Sequence, residues 1–111
     1  MEINHTEYKR CDLVSVSGRV DSATAPKLSE KLSEITGSGR YRIVLDMRGM
    51  DFISSAGLRV MIGAQKNCKR YNRGEVVLCS VPHSIMASLE LAGFTPLFKV
   101  FEDPTAAVGH F

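Results

Sequence analysis

Two five-residue apolar runs, Tyr41-Arg42-Ile43-Val44-Leu45 and Glu75-Val76-Val77-Leu78-Cys79, flank one long stretch with helical periodicity. Short apolar runs with β-branched centres read as buried strands. Between them Leu58, Met61, Ile62, Gln65 and Cys68 fall on one face of a helix, a mostly apolar stripe made to pack on a sheet. Strand, helix and strand in that order pair in parallel through a right-handed crossover. The middle of this chain is therefore committed to an α/β sheet.

The rest of the chain extends the pattern. Ile3 to Tyr8 alternates weakly and reads as an edge strand. Leu13 to Val16 reads as a second strand, closing at Gly18, and a turn near Lys9 to Asp12 makes the two an antiparallel hairpin. Ser22 or Thr24 is placed to cap the next helix, with Pro26 in its first turn and Leu28, Leu32 and Ile35 at helical spacing. Gly37 and Gly39 stop it. Asp46 to Asp51 reads as a loop with Gly49 as its flexible point. The second helix starts near Ser54 or Ser55 and ends at Arg73-Gly74. Val81-Pro82 opens a third helix, which Gly93 ends; Leu97 to Phe101 is the last strand. Asp103 caps a short final helix with Pro104 at its first position. The predicted order is ββαβαβαβα. This is an α/β fold, with a mixed sheet of four to five strands and about four helices packed on it, in one domain over residues 1–111.

Composition narrows the function classes. The 111 residues are 44% hydrophobic and 23% charged, with a formal net charge of +2, so charge balance alone does not suggest nucleic-acid binding. Cys11, Cys68 and Cys79 are odd in number, widely spaced and lack a CxxC pair, which argues against a disulfide framework or a zinc site. They read as buried, reduced thiols, and no metal or cofactor is expected. With no signal-peptide pattern and no long apolar run, a cytoplasmic setting is expected.

The chemistry concentrates where the central strand hands over to the second helix. Ser54, Ser55, Ala56 and Gly57 stand at that junction. A helix's first turn carries unpaired N–H groups and partial positive charge, so a serine there is a cap or an acceptor for phosphate. Local chemistry leaves both roles open. A nucleophile elbow is missing, and His5, His83 and His110 lie near the termini or at the start of the third helix, so a serine hydrolase has little support. Neither phosphate-loop glycine motif is present. Asp21, Asp46 and Asp51 each follow a strand-like segment; they are turn formers, or acidic neighbours of an acceptor hydroxyl.

Asp51-Phe52-Ile53-Ser54-Ser55-Ala56-Gly57-Leu58-Arg59 resembles the signature of bacterial anti-sigma-factor antagonists, the single-domain STAS proteins. So, more weakly, do Gly18-Arg19-Val20-Asp21 followed by Ala25-Pro26-Lys27-Leu28, and Gly74-Glu75-Val76-Val77-Leu78. The resemblance covers nearly the whole chain. It implies a phospho-switch rather than an enzyme. The unmodified antagonist binds an anti-sigma factor, often a serine kinase of the histidine-kinase-like ATPase fold, and so frees a sigma factor. The kinase phosphorylates a serine at the start of the second helix, the complex falls apart, and a PP2C-type phosphatase reverses the step. Matched onto this chain the acceptor is Ser55, with Asp21 the acidic neighbour. The family often has Asp immediately before the acceptor, where this chain has Ser54, the alternative acceptor. Asp51, Ala56 and Gly57 complete the acceptor loop. The expected partner-binding residues are Ser22 and Thr24 on one loop, Phe52 and Ile53 on the other, and Arg59, Val60 and Gly63 on the helix flank. A scaffold role in a larger signalling assembly is the alternative.

Overall fold

The opening hairpin forms as its alternation suggests. In the computed structural model, which describes residues 1–111, β1 (Glu2–Glu7) runs antiparallel to β2 (Asp12–Val20). Then follow α1 (Ala25–Gly37), β3 (Arg42–Asp46), β4 (Met50–Ile53), α2 (Ser55–Lys69), β5 (Glu75–Cys79), α3 (His83–Leu91), β6 (Val100–Phe101) and α4 (Pro104–His110). One sheet orders them β1-β2-β3-β5-β6, and β4 pairs with β2 as well. Every pairing but the first hairpin is parallel.

The sheet has six strands, not four to five, and the order is ββαββαβαβα. The extra strand is β4, in a stretch that reads as part loop, part approach to the second helix. Asp46, Arg48 and Gly49 make a turn, with the Arg48 N–H donating to Asp46 Oδ1 and the Met50 N–H to the Met47 carbonyl. Beyond that turn the chain rejoins the edge of β2 that β3 has just left: Ser15 pairs with Asp46, and Gly18 with Met50. Turn residues hide the strand from a periodicity reading, because the length of the neighbouring β2 creates it. Two ends also differ. The last strand is only Val100–Phe101, because Pro96 lacks an N–H and Thr95–Leu97 turns as a short 3-10 helix. The second helix stops at Lys69 rather than Arg73, where Tyr71 and Asn72 take positive φ.

Strand alternation separates two cores. Val14, Val16, Ile43, Leu45, Val76 and Leu78 face α1, α2 and α3 and bury Leu28, Met61, Ile85 and Leu89. Each such side chain contributes roughly 1.5–3 kcal/mol relative to exposure. Val44, Val77 and Cys79 face the other way and are covered by α4 through Ala107. The one polar member of the α2 stripe is fully used: Gln65 Nε2 donates to the carbonyls of Val76 and Leu97, and Gln65 Oε1 accepts from the Val76 N–H. Close packing also selects residues at the lower end of the sheet, where a Cβ on Gly74 would stand 2.2 Å from the Tyr41 carbonyl oxygen.

The buried carboxylate of Asp12 opens β2. It is 1% exposed and accepts from His5 Nε2 at 2.6 Å and Arg40 Nε at 2.5 Å. Arg40 also donates to the carbonyls of Tyr8 and Cys11, so one guanidinium ties the end of α1 to the hairpin turn. Its bond to Asp12 pushes the Arg40 pKa up.

Candidate functional site

Helix α2 begins where β4 ends, and β4 lies parallel to the last residues of β2, with Val20 opposite Ile53. The Ser54 N–H donates to the Val20 carbonyl at 2.8 Å, which clamps the junction to the end of β2. The two serines then do different things. Ser54 is the N-cap, in extended conformation, and its hydroxyl oxygen accepts from the Gly57 N–H at 3.3 Å. Ser55 is the first residue of the helix and its side chain is exposed. No acidic side chain occupies the first turn of α2. Its leading N–H groups and the helix dipole are thus uncompensated by any carboxylate of that turn.

Gly57 is what lets the helix start so close to the sheet. A Cβ there would meet Ile53 Cγ1 and Val20 Cγ1, each at 2.8 Å. Ile53 is 5% exposed and belongs to the core. It is therefore removed from the expected partner-binding residues: apolar and next to the serines, its side chain joins Met50 in the core, because the register shift opposite Gly18 and Arg19 skips Asp51 and puts Met50 and Ile53 on the same side. Phe52 and Asp51 are exposed on the same strand. Arg19, opposite Phe52 on β2, lays its guanidinium 4.3 Å from the centre of the Phe52 ring. Arg19 was not singled out as a contact residue by the sequence; only its place beside Asp21 in Gly18-Arg19-Val20-Asp21 signals it.

The neighbouring loop is organised by one carboxylate. Asp21 Oδ1 accepts from the N–H groups of Ala23 and Thr24, each at 3.0 Å, and from the Thr24 hydroxyl. The Thr24 hydroxyl also accepts from the Asp21 N–H and lies 2.9 Å from the Arg19 carbonyl. The Thr24 N–H, then its hydroxyl, hold the Asp21 carboxyl below its usual range. Thr24 is the N-cap residue of α1, yet its hydroxyl serves this loop and not the helix. Asp46 does not join the site. It sits opposite Ser15 while Ile53 sits opposite Val20, five residues further along β2, about 16 Å at ~3.3 Å per residue. Asp46 is a turn former, accepting from Arg48 and from the Ser15 hydroxyl.

From the junction a groove of about 570 Å³ runs between α1 and α2. Ser22, Ala56, Arg59, Val60 and Gly63 line it, and α1 contributes Pro26, Ser29 and Ser33. The structure thus gathers Ser22, Arg59, Val60 and Gly63 on one surface, which Ala56, the neighbour of Ser55 in the chain, also lines. The face carrying Val60, Ala64 and Asn67, which lies opposite the apolar stripe, is half-buried alongside α1 rather than open. Sequence reasoning missed the α1 wall because only the strand order puts both helices on one side of the sheet.

The histidines are engaged elsewhere. His5 bonds Asp12, His110 Nε2 lies 3.0 Å from Glu75 Oε1, and His83 is exposed at the start of α3. All three cysteines are buried and unpaired; burial pushes the thiols of Cys68 and Cys79 up to about 11. No three His, Cys, Asp or Glu side chains converge as a metal site, and no helix is long and apolar enough to cross a membrane.

The comparisons match this geometry to a known family. The STAS domain model covers residues 2–107. A candidate anti-sigma factor antagonist, BtrV of Bordetella bronchiseptica, is 35% identical over 99 residues, covering 89% of this chain and 84% of that protein. The crystal structure of an anti-sigma factor antagonist from Mycobacterium paratuberculosis superposes with a TM-score of 0.87 at 19% identity, covering 98% of this chain and 92% of that one. SpoIIAA of Bacillus, also an anti-sigma factor antagonist, shares the fold in both its forms. The unphosphorylated form superposes with a TM-score of 0.84 at 13% identity (98% and 95% covered), and the phosphorylated form with 0.77 at 14% (98% of each). With the STAS family model spanning residues 2–107 and a relative 35% identical over most of its length, the chain belongs to the STAS domain family.

Proposed function

We propose that this chain is an anti-sigma factor antagonist of one STAS module, working in the cytoplasm by binding rather than by catalysis. In its unmodified form it docks an anti-sigma factor on the surface formed by the Asp21–Thr24 loop, Phe52 and the Arg59–Val60–Gly63 flank of α2, and a sigma factor is released. The partner is a serine kinase of the histidine-kinase-like ATPase fold. It transfers the γ-phosphoryl group of ATP to the Ser55 hydroxyl, leaving ADP, and a PP2C-type phosphatase hydrolyses the ester. The observation that carries this reading is the division of labour between adjacent serines. Ser54 is occupied as the cap, while Ser55 is exposed one residue later, next in sequence to Ala56 of the groove lining.

The physics supports release by interface disruption. A phosphate adds about −1.5 to −2 charges and three acceptor oxygens. At a helix N-terminus those are tolerated by the N–H groups and the dipole, so the domain stays folded. Bulk and charge then face a surface shaped for a neutral hydroxyl. A hundredfold loss of affinity needs only about 2.8 kcal/mol there.

Affinity capture from the native host's lysate tests this, with wild type, Ser55→Asp and Ser55→Ala as parallel baits and mass spectrometry as the readout. A kinase-like ATPase is expected with wild type and Ser55→Ala and not with Ser55→Asp, while all three baits melt at the same temperature. The same proteins on all three baits, or a collapsed melting temperature for Ser55→Asp, overturns the switch and leaves the scaffold reading.

A further inference from the structure

The end of the molecule away from Ser55 carries a second surface. Because β2, β3 and β5 are parallel, their first residues lie together, and α2 delivers its last turn to the same end. Lys9, Arg10, Arg40, Arg42 and Arg73 surround a hollow of about 240 Å³ there. Lys69 and Arg70 follow on the adjoining end of α2 and are exposed. Half of the 14 lysines and arginines thus crowd one pole of a chain whose net charge is only +2.

Of the acids at this pole only Glu7, opposite Asp12 on β1, is exposed and unpaired. Asp12 is buried under His5 and Arg40, and Glu75 is held by Lys99 at 3.5 Å and His110 at 3.0 Å. Arg40 and Arg73 are committed inward, Arg73 to the carbonyls of Asn67 and Arg70. Lys9, Arg10, Arg42, Lys69 and Arg70 are exposed and none forms an ion pair within the chain. Lysines at the end of α2 complement its dipole, but Lys9, Arg10 and Arg42 lie on other elements and have no such role.

A second observation singles out the same place. Tyr71 and Asn72 both adopt left-handed backbone, with φ of 59° and 56°. For a bulky residue this is a strained conformation, and such strain gathers at functional positions. Here it holds a tyrosine 83% exposed, with the Arg73 guanidinium between its ring (5.6 Å) and that of Tyr41 (3.8 Å). Tyrosine and arginine are among the residues enriched at protein-binding hot spots.

We propose that this pole is a second docking face, for an acidic polypeptide segment, with Tyr71 as its anchor and Arg10, Arg42 and Arg70 as its charged rim. A nucleic acid fits less well: one exposed tyrosine offers one stacking face, whereas single-strand binders line up several. The face is separate from the serine site and independent of the function proposed for it.

The test is an NMR titration of the ¹⁵N-labelled full chain with a deca-glutamate peptide at low salt, in parallel with a single-stranded DNA decamer and phosphatidylserine vesicles. The peptide is expected to shift the amides of Lys9, Arg10, Arg42 and Arg70 to Arg73 and to leave residues 54–60 unmoved. Arg42→Glu/Arg70→Glu is expected to weaken the peptide at least tenfold, and the charge-matched Lys27→Glu/Arg48→Glu less than twofold. Tyr71→Gly, which relieves the backbone, is expected to raise the melting temperature and still weaken the peptide, a combination a merely structural tyrosine does not produce. Shifts spread over all surface cations, equal loss in both charge variants, or tighter binding of the DNA or the vesicles at this pole would overturn the proposal.

Discussion

The Ser54 amide and the Val20 carbonyl, 34 positions apart in sequence, are joined by a 2.8 Å hydrogen bond. The bond fastens the cap of α2 to the residue that precedes Asp21. The serine junction and the Asp21–Thr24 loop are therefore tied together, and substitutions there separate the capping hydroxyl from the exposed one.

Ser54 and Ser55 differ in what their removal costs. Ser54→Ala deletes the acceptor of the Gly57 N–H and is expected to cost about 1 kcal/mol. In a domain of this size that lowers Tm by about 4 °C. Ser55→Ala removes an exposed hydroxyl and is expected to stay within about 0.5 kcal/mol of wild type. Chemical denaturation of both variants checks the pair.

Two glycines of α2 are expected to respond to alanine with opposite signs. Helix propensity favours alanine by about 1 kcal/mol at both. At Gly63 a Cβ meets nothing within 4 Å, so Gly63→Ala stabilises by up to that amount while narrowing the groove. At Gly57 the Cβ sits 2.8 Å from two branched, buried side chains, and overpacking of about 1–3 kcal/mol outweighs propensity. Thermal unfolding gives the signs directly.

Asp21 links stability to acid. Its folded-state carboxyl titrates below the ordinary 3.8, through the Thr24 N–H and hydroxyl. A depressed folded value means the contribution is complete above the unfolded pKa and is lost as pH falls below it. Asp21→Asn keeps an acceptor oxygen but cannot titrate. The stability gap between wild type and this variant should therefore shrink as pH falls below about 4, as read from melting temperatures at each pH.

Cys68 and Cys79 are expected to be silent towards thiol reagents. Both are fully buried and their pKa values are raised to about 11, so at neutral pH almost no thiolate exists to react. Ellman's reagent should label them only as the protein unfolds, at the unfolding rate or slower.

Much of this was legible in the chain because periodicity and packing agree. Leu58, Met61, Gln65 and Cys68 form the buried stripe of α2 as their spacing requires, and Asp103 caps α4, accepting from the Ala106 N–H at 2.8 Å. What was not legible depends on distant neighbours. Met50–Ile53 is a strand because β2 is long enough to receive it. Ile53 is core because the pairing with β2 skips Asp51, and Pro26, Ser29 and Ser33 wall the groove because α1 and α2 share a face of the sheet. The left-handed corner is half-signalled: Asn72 belongs to the residue types that tolerate positive φ, whereas Tyr71 does not announce it.

Helix α2 sets the distance across which the molecule can hear itself. Its 15 residues at ~1.5 Å each place Ser55 and Lys69 about 21 Å apart. At physiological ionic strength electrostatic influence decays over about 8 Å. A charge placed on Ser55 is thus damped through more than two such lengths before it reaches Arg70. The two ends of the domain are electrostatically separate, and a charge introduced at one is barely felt at the other.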